Sequence, residues 1–155
     1  MTRILVVDDD RATTELLQDV FQDEGYVVEV APNGAVAIES MPQHPPDIVF
    51  VDLTMPVMDG VAFLRACRDD PRWSTLRIVL LSARSENTLT GDRFDAFIPK
   101  PFDLLELLRT VEATIDRPAT NGRARITGRS GNWVTSPDEW GASKRGTVGD
   151  VGSKV

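Results

Sequence analysis

Short apolar runs alternate with amphipathic stretches along most of this chain. Two of the runs, Ile4–Val7 and Ile48–Val51, are wholly apolar and mostly β-branched. They are too short for helices and show no polar–apolar alternation, which is typical of strands buried on both faces of a parallel sheet. We predict five strands in all, namely Ile4–Val7, Tyr26–Ala31, Ile48–Val51, Arg77–Leu81 and a short Ala96–Pro99.

Helical spacing of apolar residues fills most of the gaps between these runs. We predict helices over Ala12–Glu24, Ala35–Met41, Val61–Arg68 and Leu104–Ile115, the last capped by Asp103. Residues 86–94 are polar and ambiguous, and favour at best a short helix. Strands that alternate with helices require right-handed crossovers and a doubly wound α/β fold. The expected architecture is a five-stranded parallel sheet of strand order 2-1-3-4-5, as in flavodoxin-like proteins.

Composition and charge divide the chain into two parts. Residues 1–116 carry 10 Lys/Arg and 21 Asp/Glu, a net charge of −11, whereas residues 117–155 carry 7 and 3, a net of +4. We therefore predict a domain at 1–116 and a basic tail at 117–155. The tail is rich in Gly, Ser, Thr and Arg without a sustained period, so we expect it to be mostly disordered. The acidic domain argues against direct nucleic-acid binding.

Carboxylates follow the first and third predicted strands directly. Asp8 and Asp9 end the first strand and Asp52 ends the third, so order 2-1-3-4-5 brings all three to one crevice. Their mutual repulsion calls for a hard divalent cation with oxygen ligands, and Mg²⁺ fits. Lys100, after the fifth strand, adds a point charge suited to a phosphate oxygen, and the Ser82 hydroxyl, after the fourth, can donate a hydrogen bond. We interpret Asp52 as a nucleophile that accepts a phosphoryl group.

Four motifs at the strand ends together resemble the receiver domain of two-component response regulators, over about residues 1–116. They are Asp8-Asp9, Asp52 with Met55-Pro56 and Asp59-Gly60, Ser82-Ala83, and Lys100-Pro101-Phe102. The resemblance implies that Asp52 takes its phosphoryl group from a sensor histidine kinase or a phosphotransfer protein. It also implies a switch in contacts with a downstream protein, which the sequence does not identify.

The resemblance further assigns roles to individual residues. Asp9, Asp52 and the Thr54 carbonyl would ligate Mg²⁺, with Asp8 acting through water. Lys100 and Ser82 would contact the phosphoryl group, Phe97 would be the ring that turns inward on activation, and the Lys100–Pro101 bond would be cis. Beyond its own phosphorylation and dephosphorylation, such a domain is not an enzyme. One departure is that the interval from Ser82 to Lys100 is shorter than the family pattern by about one helical turn, which predicts a short or irregular fourth helix.

Other functions with the same fold are open on the residues alone. A phosphorylation-independent scaffold is one, and nucleic-acid binding by the basic tail is another. An aspartate-nucleophile phosphatase would need a second Asp where Thr54 stands, and a P-loop hydrolase would need a G-x-x-x-x-G-K-[ST] motif that the chain lacks. Asp8, Asp9 and Asp10, directly after the first strand, repel the phosphate of FMN, so flavin binding is disfavoured.

The remaining sequence features are bland. Cys67 is the only cysteine and His44 the only histidine, and we interpret them as a packing residue and a surface residue, respectively. We likewise interpret Asp10 as a solvated loop acid. No apolar run is long enough to span a membrane and no cleavable leader begins the chain, so the sequence favours the cytoplasm.

Overall fold

A parallel sheet with helices on both faces forms the body of the chain. The computed structural model describes residues 1–83 and 93–116 and the backbone of Arg125 and Ile126. The strands are β1 Arg3–Val7, β2 Val27–Ala31, β3 Ile48–Asp52, β4 Arg77–Ser82, β5 Ala96–Pro99 and β6 Arg125–Ile126. The helices are α1 Arg11–Asp23, α2 Gly34–Ser40, α3 Gly60–Asp69 and α4 Leu104–Ile115. The strands lie in the order β2-β1-β3-β4-β5-β6, and every neighbouring pair is parallel.

This architecture confirms the predicted fold class and the strand order 2-1-3-4-5. The sequence did not predict β6, a two-residue strand beside β5 within the segment expected to be mostly disordered. The rest of that segment lies outside the described residues, and so does the stretch 84–92, where a short fourth helix was expected. In the described ranges, none of the helices combines the length and the apolar character needed to cross a bilayer.

The two faces of the sheet bury separate hydrophobic clusters. Val49 and Val51 of β3 point to the face that α2 and α3 cover, whereas Ile48 and Phe50 point to the face of α1 and α4. Phe50 is fully buried and its ring centroid lies 5.0 Å from that of Phe21 on α1. Burial on both faces explains why β3 is an unbroken apolar run, and it leaves the strand ends as the place for polar groups.

Each described helix begins at a side-chain cap on the carboxyl side of a strand. Asp10, Asn33, Asp59 and Asp103 accept hydrogen bonds from the backbone N–H groups of Ala12, Val36, Ala62 and Leu105 at 2.7–3.2 Å. This confirms Asp103 as a cap and corrects the interpretation of Asp10, which is exposed but also caps α1. The caps fix where each helix starts relative to the preceding strand.

The loop between β3 and α3 contains a valine in left-handed conformation. Val57 has φ of 67° and is 85% exposed, and the N–H of Met58 donates to the Pro56 carbonyl across it at 2.7 Å. This three-residue turn with a positive central φ is the strained form. A β-branched side chain in this region is costly, and here almost no burial offsets that cost.

We therefore expect Val57→Gly to raise the free energy of unfolding by about 0.5–1 kcal/mol, because relief of the strain exceeds the added entropy of the unfolded chain. Val36→Gly is the matched control, since Val36 is 40% exposed and lies in helix α2 without a positive φ. It should lower stability by about 1 kcal/mol. Urea unfolding gives the change in the free energy of unfolding for both variants. A loss of stability in Val57→Gly would show that the Val57 backbone is not strained.

Candidate functional site

Strand pairing places Asp8 beside Asp52 at the carboxyl edge of the sheet. Val7 of β1 pairs with Val51 of β3, so the residues that follow them come off adjacent strand ends. Asp8 and Asp52 are buried, with 2% and 9% exposure, and Asp9 is exposed. One carboxylate oxygen from each of the three lies within 4.8 Å of the others. The three predicted carboxylates are thus brought together, as expected.

Lys100 reaches the same point from the other side. Ser82 of β4 pairs with Pro99 of β5, and the N–H of Lys100 donates to the Ser82 carbonyl at 2.8 Å. The Lys100 Nζ lies 2.9 Å from Asp8 Oδ2 and 3.3 Å from Asp52 Oδ2. The Lys100–Pro101 bond is cis, as the resemblance implied. One ammonium therefore faces three carboxylates, which leaves the crevice with excess negative charge.

The pKa values at this edge follow from that arrangement. Burial raises the pKa of the Asp8 carboxyl, while the backbone N–H of Asp10 and the Lys100 ammonium oppose the shift and the charge of Asp52 adds to it. Burial acts to lower the pKa of Lys100, but its hydrogen bond and charge interactions with Asp8 and Asp52 outweigh that effect, so the net shift is upward. Because the native pKa of Lys100 exceeds the unfolded value, its pairing stabilises the fold below that range and is lost only at strongly alkaline pH.

The backbone around Asp52 is held closely. The N–H of Thr54 donates to Asp52 Oδ1 at 3.2 Å, and the N–H of Gly60 donates to the Leu53 carbonyl at 3.1 Å. A Cβ on Gly60 would overlap the carbonyl oxygen of Asp52 and lie 2.8 Å from the Leu53 Cα. Glycine at this position therefore lets helix α3 start directly against the end of β3.

The other predicted site residues lie nearby with different degrees of exposure. Ser82 and Phe97 are each 1% exposed, so the Phe97 ring lies inside the fold, on the face of α2 and α3. Thr54 is exposed after β3. The roles assigned to these three residues stay predictions.

The structure bears out the interpretations of Cys67 and His44. Cys67 is buried, and burial raises the pKa of its thiol to about 12, which fits a packing residue. His44 is a surface residue whose Nδ1 lies 3.4 Å from Glu29 Oε1. Sequence reasoning missed Arg68, whose guanidinium donates hydrogen bonds to backbone carbonyls just before β4 and β5. An arginine near a helix end carries no pattern that would have singled it out.

A family model described as "Response regulator receiver domain" matches residues 4–112. This chain belongs to that family. The chemotaxis protein CheY of Bacillus subtilis is 34% identical over 119 residues, which cover 74% of this chain and 98% of that protein. The response regulator Rre1 of Synechocystis sp. is 36% identical over 129 residues, 78% of this chain and 54% of Rre1, so the chain spans about half the length of that relative.

A solved structure gives the same relationship in three dimensions. The response regulator TrrA of Thermotoga maritima, solved in complex with Mg²⁺-BeF, matches with a TM-score of 0.67 and 33% identity. The match covers 74% of this chain and 99% of that one. The receiver fold thus accounts for the described sheet from β1 to β5 and for its four helices.

Proposed function

We propose that this receiver domain is a phosphoacceptor of a two-component phosphorelay and that Asp52 carries the phosphoryl group. The observation that supports the proposal most directly is the crevice itself. Three carboxylates with oxygens within 4.8 Å face a lysine whose Nζ lies 2.9 and 3.3 Å from two of them. Phosphoryl transfer needs both a nucleophile and compensating positive charge, and this crevice offers a carboxylate beside an ammonium.

In the proposed transfer, one carboxylate oxygen of Asp52 bonds to phosphorus as the P–N bond of a phosphohistidine breaks. The leaving imidazole nitrogen keeps the electron pair and takes up a proton. Lys100 is placed to hold a phosphoryl oxygen, and the Ser82 hydroxyl at the end of β4 is the proposed donor to another. The donor is a sensor histidine kinase or a phosphotransfer protein, and the reaction proceeds in the cytoplasm.

The donor set at this edge fits Mg²⁺. Asp9 and Asp52, with the Thr54 carbonyl, are the proposed ligands, and Asp8 is proposed to act through a water molecule. Bound there, the metal supplies positive charge for the phosphoryl oxygens. Oxygen donors, two of them buried carboxylates whose charge Lys100 balances only in part, are what a hard divalent cation prefers.

We further propose that phosphorylation changes contacts with a downstream protein through Ser82 and Phe97. Both side chains are buried, and they lie on neighbouring strands. Leu80 of β4 pairs with Phe97 of β5, and Ser82 lies two residues further along β4. A hydroxyl drawn toward a phosphoryl group at the end of β4 would alter the packing next to the ring. Apart from gaining and losing its own phosphoryl group, the domain is proposed to catalyse no reaction.

Calorimetric titration with Mg²⁺ tests the metal half of this proposal. We expect saturable binding by the wild-type chain and an affinity lower by roughly tenfold or more in Asp9→Asn, because an exposed ligand is removed with little effect on packing. Asp10→Asn is the matched control: it removes the adjacent charge but keeps a residue that can cap α1.

A wild-type chain that binds no Mg²⁺, or an affinity in Asp9→Asn equal to that of Asp10→Asn, would contradict the assignment. Absence of Mg²⁺ binding by the wild-type chain would favour a scaffold that does not depend on phosphorylation.

A further inference from the structure

Arg68, near the end of helix α3, is bonded to a ring of backbone carbonyls. Its Nε donates to the Arg93 carbonyl at 2.8 Å, and its Nη1 donates to the Leu76 carbonyl at 2.7 Å and to the Ser74 carbonyl at 3.2 Å. The side chain is only 12% exposed. A planar guanidinium can hold several acceptors at fixed angles, which a lysine cannot do.

The same guanidinium also holds Asp95, the residue directly before β5. Arg68 Nη2 lies 3.5 Å from Asp95 Oδ2, and that oxygen accepts a hydrogen bond from the N–H of Ile78 at 2.7 Å. The N–H of Asp95 in turn donates to the Ile78 carbonyl at 2.8 Å. We call Arg68, Asp95 and the Arg93 carbonyl the Arg68 clamp. It joins the end of α3 to the start of both β4 and β5.

Strand β5 is short, and its register on β4 decides where Lys100 stands. It has four residues, Ala96–Pro99, and its register on β4 is Val79 with Ala96 through Ser82 with Pro99. Phe97 belongs to the cluster on the α2–α3 face, and Ile98 belongs to the cluster on the other face. A slip of one residue would exchange these faces, and a slip of two would carry Lys100 about 7 Å along the strand direction.

The geometry points to Arg68 as a positioning residue for Lys100. By holding the entry to β5 through Asp95 and the Arg93 carbonyl, the clamp fixes where Lys100, one residue beyond the strand, stands relative to Asp8 and Asp52. This inference rests on the proposed function, in which Lys100 holds a phosphoryl oxygen. It goes beyond that function because it assigns a role in phosphorylation to a residue of helix α3, which contributes none of the proposed site residues.

If the clamp positions Lys100, Arg68 variants should be phosphorylated more slowly but should bind Mg²⁺ as the wild type does. The carboxylates stand on β1 and β3, whereas the described bonds of Arg68 go to residues 73–76, 93 and 95. We expect Arg68→Gln to slow labelling by acetyl phosphate roughly tenfold, because a small displacement of Lys100 removes much of its contribution. Its Mg²⁺ affinity should match that of the wild type, and general destabilisation would not produce this split.

Two further single variants serve as a control and as a conservative substitution for Arg68→Gln. Arg72→Gln is the control, since Arg72 lies just after helix α3 with its side chain 61% exposed and paired with Asp70; its labelling should be unchanged. Arg68→Lys keeps the charge but cannot hold the same acceptors, so it should label at a rate between Arg68→Gln and the wild type. It also provides a readout if Arg68→Gln does not fold, which circular dichroism shows.

A double-variant cycle with Lys100→Ala decides whether Arg68 acts through Lys100. If it does, adding Arg68→Gln to Lys100→Ala should slow labelling no further. An equal further loss in that background, or wild-type labelling by Arg68→Gln alone, would overturn the inference while leaving the phosphoacceptor proposal intact. If Lys100→Ala itself labels normally, the role of Lys100 in the proposed function fails, and the inference falls with it.

Discussion

Asp52→Asn is expected to abolish labelling of the chain by acetyl phosphate and Mg²⁺. The amide is nearly isosteric with the carboxylate but is a far poorer nucleophile, and loss of a reacting nucleophile lowers rates by at least ~100-fold. The measurement is incorporation of labelled phosphoryl groups over time into the wild-type chain and the variant.

Asp47→Asn is the matched control for that experiment. Asp47 precedes β3 at the opposite end of the strand, and its Oδ2 accepts the N–H of Arg3 at 2.8 Å. An asparagine oxygen can still accept that bond, so the fold and the labelling should be retained. Labelling of Asp52→Asn at the wild-type rate would reject Asp52 as the acceptor.

Gly60→Ala should lower the free energy of unfolding by about 3 kcal/mol, the second large effect we expect. The new methyl group would meet the backbone of Asp52 and Leu53, and backbone at the end of a buried central strand has little room to move. Urea unfolding, followed by circular dichroism, gives the change in stability.

Gly25→Ala separates crowding from backbone conformation in that comparison. Gly25 has φ of 90° and nothing within 4 Å of an added Cβ, so only the left-handed conformation is penalised, by about 1 kcal/mol. A smaller loss of stability in Gly60→Ala than in Gly25→Ala would show that helix α3 can shift away from β3. The close approach would then not define the site.

The central strands were predictable because burial on both faces requires an unbroken run of apolar residues. Ile48–Val51 is apolar throughout, and the structure extends this strand by one residue to Asp52. Strand β6 has no such run, since two residues cannot establish a period and their pairing depends on a neighbouring edge. The positive φ of Val57 could not be predicted either, because the conformation is imposed by the loop and valine does not favour it.

The grouping of the site could be predicted for a related reason. Parallel strands end at one edge, so strand order alone brings Asp8, Asp9 and Asp52 together. The pairing of Lys100 Nζ with both Asp8 and Asp52 depends on the register of β5, which the sequence does not specify. Arg68 could not be found from the sequence because, apart from Asp95, its described partners are backbone carbonyls, and these exist at every position whatever the side chain.

Mapping the phosphoryl group after incubation of the wild-type chain with acetyl phosphate tests the central claim most directly. The chain is treated with Mg²⁺ or with EDTA, and its intact mass and peptides are then analysed by mass spectrometry. The account predicts a mass increase of one phosphoryl group that requires Mg²⁺ and maps to Asp52. An unchanged mass in the presence of Mg²⁺, or a phosphoryl group on another residue, would contradict it.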